Sequence, residues 1–337
     1  MSSTAAPLPA PAAVTNNEKV PSFVLEYAPI VYLQSKEEYL PSDIGSQLKH
    51  THAVYKGQKV LNGPSPLTLD NLDELNAHGA KDVFLSSNDD VSKNPEWMKG
   101  VRPDANGKTN GAKSCCIVVN DHGTGIVDAF YMYFYAYNQG QTIFAKELGD
   151  HVGDWEHNMI RFKDGKPTAL WYSQHASGEA LYYKLVEKHN NSRRPISYSA
   201  RGTHANYATA GTHDHAIPHF NLPLGVLMDV CDRGTLWDPT LNAFYYKYVP
   251  KVPGKNSEGG TFSAYEPGTP VAWLRFLGHW GDERFPADDP KQREKNIGKH
   301  FKYEGGPTGP YDKVLERKDI WPKGSVGEHI WKIMPWA

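Results

Sequence analysis

Ile126-Val127-Asp128-Ala129-Phe130-Tyr131-Met132-Tyr133-Phe134-Tyr135-Ala136-Tyr137 is the run on which the fold turns. Side chains two apart share a face of a strand, so Tyr131, Tyr133, Tyr135 and Tyr137 line one side, with Phe130, Met132, Phe134 and Ala136 on the other. Both faces are apolar or amphipathic, which is the pattern of a central strand covered on both sides. An aromatic ladder of this kind reads first as core, because aromatic burial dominates core energetics. Asn138 ends the strand.

Working outward, Ser114–Asn120 is a second strand, joined to the first by the turn Asp121-His122-Gly123-Thr124-Gly125. Downstream, Gly149-Asp150-His151-Val152-Gly153-Asp154-Trp155-Glu156-His157 runs into Asn158-Met159-Ile160-Arg161-Phe162 and the Asp164-Gly165 turn, a third strand. Its alternation sends Asp154, Glu156 and Asn158 one way and Trp155, His157 and Met159 the other. Two carboxylates one pleat apart need a counter-charge on a drying surface, and a hard divalent cation with oxygen ligands supplies one. A solvated edge or an arginine-paired couple satisfies the same spacing.

Further strands are predicted over Thr168–Gln174, Ala180–Val186 and the run from Pro195 to Ala200. His151 lies on the loop entering the carboxylate strand, His175 and His204 lie on the Gly/Ser loops that end two of these segments, and sequential strands tend to be neighbours, which gathers the histidines at one rim. The expected ligand set is therefore His151, Asp154, Glu156 and His204 around magnesium, calcium or manganese in preference to zinc. Asn138, Asp150, His157, His175 and Arg201 are the candidates for ligand contact or for orienting those four. His213-Asp214-His215 repeats the theme in a loop, where such a pair is a common adventitious chelator.

Composition supports an all-β reading. The 337 residues include 19 Tyr, 9 Trp, 30 Gly and 25 Pro, the mixture of short strands and turns. The expected fold is a mostly antiparallel β-sandwich with long loops and a few short helices. One helix lies near residues 42–50 behind a Ser42/Asp43 cap and another over Leu69–Ala77, while Phe23–Leu33 reads as a strand pair or as a strand with a proline step. Residues 57–113 are loop-rich and are expected to cover one end of the sheet. A formal net charge of −2, with basic residues scattered, gives no electrostatic footprint for nucleic acid or an anionic membrane. Cys115 and Cys116 point to opposite faces of a strand, and with Cys231 as the third cysteine no disulfide framework is expected, which suits a reducing compartment. Residues 1–20 read as a disordered Ser/Ala/Pro tail without signal-peptide character, and 21–337 as one domain. No apolar run reaches membrane-spanning length, so a cytoplasmic protein is expected.

Tyr27-Ala28-Pro29-Ile30-Val31, Tyr39-Leu40-Pro41-Ser42-Asp43, Gly153-Asp154-Trp155-Glu156-His157, Tyr198-Ser199-Ala200-Arg201-Gly202-Thr203-His204-Ala205, Cys231-Asp232-Arg233-Gly234, Trp237-Asp238-Pro239 and Gly278-His279-Trp280-Gly281-Asp282 occur in this order. Together they resemble the fungal vacuolar protein sorting-associated protein 62 family over about residues 22–290. That resemblance implies a role in vacuolar protein sorting, with vacuole association, and no defined biochemical activity. More distantly, His151-Val152-Gly153-Asp154-Trp155-Glu156 is similar to the central motif of the necrosis- and ethylene-inducing peptide-like cytolysins. There a strand-edge His, Asp and Glu hold a divalent metal in a β-sandwich that docks on sphingolipid sugars. Asn138 stands where those proteins carry another metal-binding aspartate, His175 and His204 fall where later histidines occur, and Gly153 replaces a second histidine.

Two functions follow, with a purely structural role for the polar cluster as the third reading. One is a non-enzymatic module whose metal-centred rim recognises a glycan, a glycolipid headgroup or another small molecule. The other is a metal-dependent enzyme, a hydrolase or a tailoring enzyme of secondary metabolism, in which the cation activates water and a histidine handles the proton. A closed apolar pocket beside an open coordination position favours catalysis, and a shallow polar rim favours binding.

Overall fold

The computed structural model describes residues 19–143, 145–175, 177–214, 228–251, 260–292, 296–297 and 300–321. The aromatic strand, Ile126–Asn138, lies in the middle of a seven-stranded sheet. Outward on one side come the carboxylate strand His151–Lys163, then Lys166–Gln174, then Ser177–Tyr182. On the other side lie Cys115–Asp121, Ala243–Val249 and Thr261–Ala264. Every pair is antiparallel except Cys115–Asp121 with Ala243–Val249.

A four-stranded sheet, ordered Asn206–Tyr207, Ile196–Ser199, Ile30–Leu33, Thr235–Trp237, packs on one face of the large one. Its Val31, Leu33 and Trp237 meet Tyr131, Tyr133, Tyr135, Ile160 and Tyr172. The opposite face of the large sheet, with Phe130, Phe134, Trp155 and Met159, is covered by Ile44, Leu72, Leu85, Trp273 and Trp280. Both faces of the aromatic strand are therefore dry, as its two-sided pattern requires, and the sandwich expected from the sequence is present. Cys115 and Cys116 fall into the two different cores and carry no disulfide.

Several local expectations meet the structure directly. Asp43 caps the helix Ile44–Gln47, its Oδ1 accepting from Ser46 N at 2.6 Å. The Leu69–Ala77 segment is a 3₁₀ helix over Leu72–His78. One expectation needs correction and one is widened. Phe23–Leu33 is neither a strand pair nor a strand with a proline step: Ser22–Glu26 is helical, and the strand starts at Ile30. The i,i+4 pairs Phe23/Tyr27 and Val24/Ala28 turn the same way onto the core, and Pro29 forces the chain out of the helix just after them. The 57–113 region covers the end of the sheet, where Val91 and Met98 pack with Tyr137 and Val152, and it also covers one face. Leu72, Leu75, Val83 and Leu85 pack there, the last two from a three-stranded sheet of Thr51–Tyr55, Gln58–Lys59 and Val83–Ser87.

Of the expected N-terminal tail only Lys19 and Val20 fall among the described residues, and Val20 packs against the core. His215, Ile330, Trp331 and Trp336 lie outside them.

Candidate functional site: a buried charge network beneath a polar cleft

The alternation of the carboxylate strand places Asp154 and Glu156 on the same side as Ile160 and Phe162, between the two sheets near their end. They are 6% and 4% exposed. The loop after Ile196–Ser199 brings in His204 in a left-handed conformation, φ 54°, held by its N–H on Ala200 O at 3.1 Å. The imidazole is fully buried and stacks on Tyr135, with centroids 3.7 Å apart. Nδ1 lies 2.9 Å from Asp154 Oδ2, and Nε2 lies 2.9 Å from Tyr39 O, with Glu37 Oε1 at 3.8 Å.

A backbone carbonyl only accepts, so Nε2 carries a proton; an ionised carboxylate only accepts, so Nδ1 carries one too. His204 is thus an imidazolium between two acids. Burial alone would discharge it, but the charge of Glu37 and the bond to Asp154 win, and its pKa is pushed up to about 10. Burial likewise works to raise Asp154 and Glu37, and in both the hydrogen bonds and charge of His204 prevail and hold the carboxyl below its ordinary value. Glu37 also accepts from Gly202 N at 2.6 Å and Tyr39 N at 2.8 Å, which fixes both loops around the imidazolium.

Glu156 has no cation bonded to it in that way. Burial, then the charge of Asp154, raise its pKa to about 7 against the pull of His175 and Lys313. Ser173 Oγ donates to its Oε2, and His175 N donates to its Oε1 at 3.1 Å. His175, itself at φ 57°, carries this network outward, its Nε2 lying 3.3 Å from Asp229 Oδ2. Burial lowers the His175 pKa, but the bond and charge of Asp229 outweigh it and leave it raised. Asp229 in turn accepts from Gln141 Nε2 at 2.6 Å, Thr203 Oγ1 at 2.7 Å and Tyr207 OH at 2.7 Å.

The remaining expected residues divide. His151 donates from Nδ1 to Gly153 O at 2.7 Å, and burial lowers its pKa. Asn138 Nδ2 donates to Gly149 O at 2.9 Å, so it ties the strand end to the next loop and does not face the acids. Asp150 belongs to a neighbouring cluster, accepting from Tyr137 OH at 2.7 Å, Gly140 N at 2.8 Å and Lys302 Nζ at 2.8 Å; burial raises its pKa to about 6 against the pull of Lys302. His157 is on the opposite face, buried beside Phe130 with both ring nitrogens lacking a partner among the described residues, and burial holds it well below its usual pKa. Arg201 is exposed.

Among the described residues no group of three or more His, Cys, Asp or Glu side chains is arranged to hold a metal ion. The donor chemistry shows why His151, Asp154, Glu156 and His204 do not fit one as they stand: both nitrogens of His204 are protonated and bonded, and its charge already offsets one of the two carboxylates beside it. Gly153 adds a steric reason. Its φ is +68°, and a Cβ there would lie 2.2 Å from Trp280 O, so the second histidine of the cytolysin motif has no room. Calcium, magnesium, manganese or zinc at millimolar concentration should leave the melting curve unmoved. A metal-dependent rise would mean that His204 gives up its partners for a cation.

A further expectation follows from Glu156. A carboxyl raised from 4.5 to about 7 contributes stability that is complete below 4.5 and lost as pH rises through 7. Glu156→Gln should match the wild type near the acid end and exceed it above neutrality by on the order of 1–3 kcal/mol in urea titrations. Parallel pH profiles for the two proteins would place the titrating group elsewhere.

Above this network lies a cleft of about 570 Å³, lined by Gln34, Lys36, Gln139, Gln141, Arg201 and Met228 among others. Its floor is the rim of the network: Gln139 N donates to Gly202 O at 2.9 Å, and Gln141 grips both Asp229 and Met228 N. Of these residues the sequence reading singled out Arg201 alone. Glu37 and Asp229, which fasten the network, carry no local signal that separates them from surface acids.

The Asp154-bearing strand, the His204 loop and the Gly278–Asp282 segment that abuts Gly153 all fall within the region that known proteins share. A family model described as vacuolar protein sorting-associated protein 62 matches residues 9–283. The putative vacuolar protein sorting-associated protein TDA6 of Saccharomyces cerevisiae is 38% identical over 330 residues, which covers 90% of this chain and 68% of that protein. Vacuolar protein sorting-associated protein 62 of the same yeast is 36% identical over 345 residues, covering 92% of this chain and 71% of the relative. No solved structure matches significantly. A network built from motifs in the family's order, inside a match that spans most of the sequence, leads to one assignment: the chain belongs to the vacuolar protein sorting-associated protein 62 family.

Proposed function

We propose that this chain is a recognition module that serves vacuolar protein sorting from the cytoplasm or the vacuole surface, taking a glycan, a glycolipid headgroup or another small polar molecule in the cleft. The sorting part of the reading is supported by the names of its yeast relatives. The binding part is carried by one observation, a polar cleft of about 570 Å³ whose floor is fastened to a buried ionic network. The volume is in the range of small-ligand sites, and rigidly held polar groups orient a ligand at little entropic cost. Among the described residues no helix is long and apolar enough to cross a membrane.

A catalytic reading draws on Glu156, raised to about 7 beside a lowered Asp154, which is the usual signature of an acid and base pair. Both are nearly inaccessible, however, and Ser173, His175 and His204 engage both oxygens of Glu156 and Oδ2 of Asp154. The binding reading is the stronger.

The test is a glycan and lipid-headgroup screen on the full chain, repeated with Thr142→Trp, which fills the cleft from an exposed position. The expected result is a ligand bound by the wild type and lost in the variant at unchanged melting temperature. Equal binding by the variant would remove the cleft as the site, and no binding at millimolar ligand would remove the recognition role.

A further inference from the structure

The charges around the cleft are not equally committed. Its two acids are saturated from within. Asp232 accepts from Gln34 Nε2 and Ser35 N, both at 2.7 Å, and from Ser35 Oγ at 2.6 Å. Glu147 accepts from Lys302 Nζ and from Gln139 Nε2, the latter at 2.9 Å, and Lys302 with these donors holds its carboxyl below the ordinary value although burial works to raise it. The two bases are in the opposite condition. Lys36 is exposed and has no ion-pair partner among the described residues, and Arg201 reaches only Glu38, at 3.9 Å between two side chains that are 46% and 61% exposed. A pair so long and so solvated is worth little.

The neutral lining completes the picture. Met228 and Val230 give the cleft an apolar strip, Val230 being 42% exposed, and Thr142 and Gln139 bring a hydroxyl and an amide. From this division we infer that the cleft takes a phosphate-bearing polyol, with Lys36 and Arg201 on the phosphate and the apolar strip against the C–H face of the ring. Arginine presents a planar fork suited to phosphate oxygens and lysine adds a point charge. The two acids of the cleft are engaged by donors of their own, so Lys36 and Arg201 are the charged side chains left free to turn to an incoming anion. This inference rests on the recognition reading and names the chemistry of its ligand. A free sugar phosphate and a phosphoinositide headgroup share that chemistry.

The experiment is calorimetric titration of the full chain with myo-inositol 1-phosphate, myo-inositol and inorganic phosphate, alongside sedimentation with phosphatidylcholine vesicles with and without phosphatidylinositol monophosphate. The expected result is that the phosphorylated polyol binds at least about tenfold more tightly than myo-inositol, and that added salt weakens it. Lys36→Ala and Arg201→Ala should each weaken binding by about tenfold or more without changing the melting temperature, and Glu38→Gln should strengthen it. Binding of the free monophosphate assigns a soluble ligand, and binding confined to the phosphoinositide vesicles assigns a lipid headgroup; either outcome supports the inference. Equal affinity for inositol and its phosphate, or binding that survives both alanine substitutions, would overturn the phosphate while leaving the cleft a binding site. Silence from every probe here, with a ligand found in the glycan screen, would overturn this inference alone; silence in both would end the recognition reading with it.

Discussion

Replacing His204 by leucine is expected to cost about 3–5 kcal/mol, because it leaves the buried carboxylates of Glu37 and Asp154 without their cation. Leucine fills similar space against Tyr135, so the loss reports on charge more than on volume. The pH dependence separates this account from simple packing. His204 is raised from 6.5 to about 10, so its contribution is complete below pH 6.5 and disappears as pH rises through 10. Asp154 and Glu37 are lowered from 3.8 and 4.5, so theirs is present above those values and lost on acidification. The ionic triad therefore stabilises most between about pH 4.5 and 6.5. The leucine variant should lose the wild type's decline between pH 6.5 and 10, apart from the share that Glu156 contributes near 7. Urea midpoints across pH for wild type, His204→Leu and Glu156→Gln separate the two groups. A leucine variant that loses less than about 1 kcal/mol, or that keeps the full alkaline decline, would show that the imidazolium is not the counter-charge.

The second large effect is expected at Gly153. Gly153→His must adopt φ near +68° and push against Trp280 O, where a Cβ would lie at 2.2 Å. A left-handed backbone and a forced steric shift together should cost about 2–5 kcal/mol. Gly57→Ala is the matched control: its φ is +71° with nothing within 4 Å of a Cβ, so only the conformational part applies, about 1–2 kcal/mol. Thermal or urea unfolding of the two variants reads the difference. Equal losses would mean that the Gly278–Asp282 segment moves aside freely, and the steric reason for excluding a second histidine would go with it.

The parts of this structure that were legible in the sequence are those governed by a period of two. The aromatic strand announces its position through its two apolar faces, and the carboxylate strand announces which side Asp154 and Glu156 share. The meeting of His204 with Asp154 was also legible, because both sit where strands run into loops at one end. What was hidden is non-local or depends on protonation. Glu37 and Tyr39 O come from a different part of the chain, and their approach makes His204 a cation where a neutral ligand was expected. His204 thereby supplies part of the counter-charge that a metal was expected to supply. The helix Ser22–Glu26 was missed because a short aromatic-rich run serves either structure, and Pro29 settles its end only once the core is in view. His157 follows its strand's alternation onto the other core, away from the acids, a consequence that the alternation itself contained.

The five strands of the large sheet between Cys115 and Tyr182 form a meander in which each lies beside its predecessor in that sheet, whereas Ala243–Val249 joins the far side of Cys115–Asp121 in parallel. Contacts close in sequence form early and distant ones late. During synthesis the meander can therefore assemble on the ribosome while one edge of the sheet is still unpaired. At about 5–20 residues per second, several seconds pass between the emergence of Tyr182 and that of Ala243. Through that interval the strand Cys115–Asp121 offers a bare hydrogen-bonding edge, and one face of the aromatic strand still waits for Trp237 to cover it, so the nascent protein is most exposed to misassociation just before its sheet is closed.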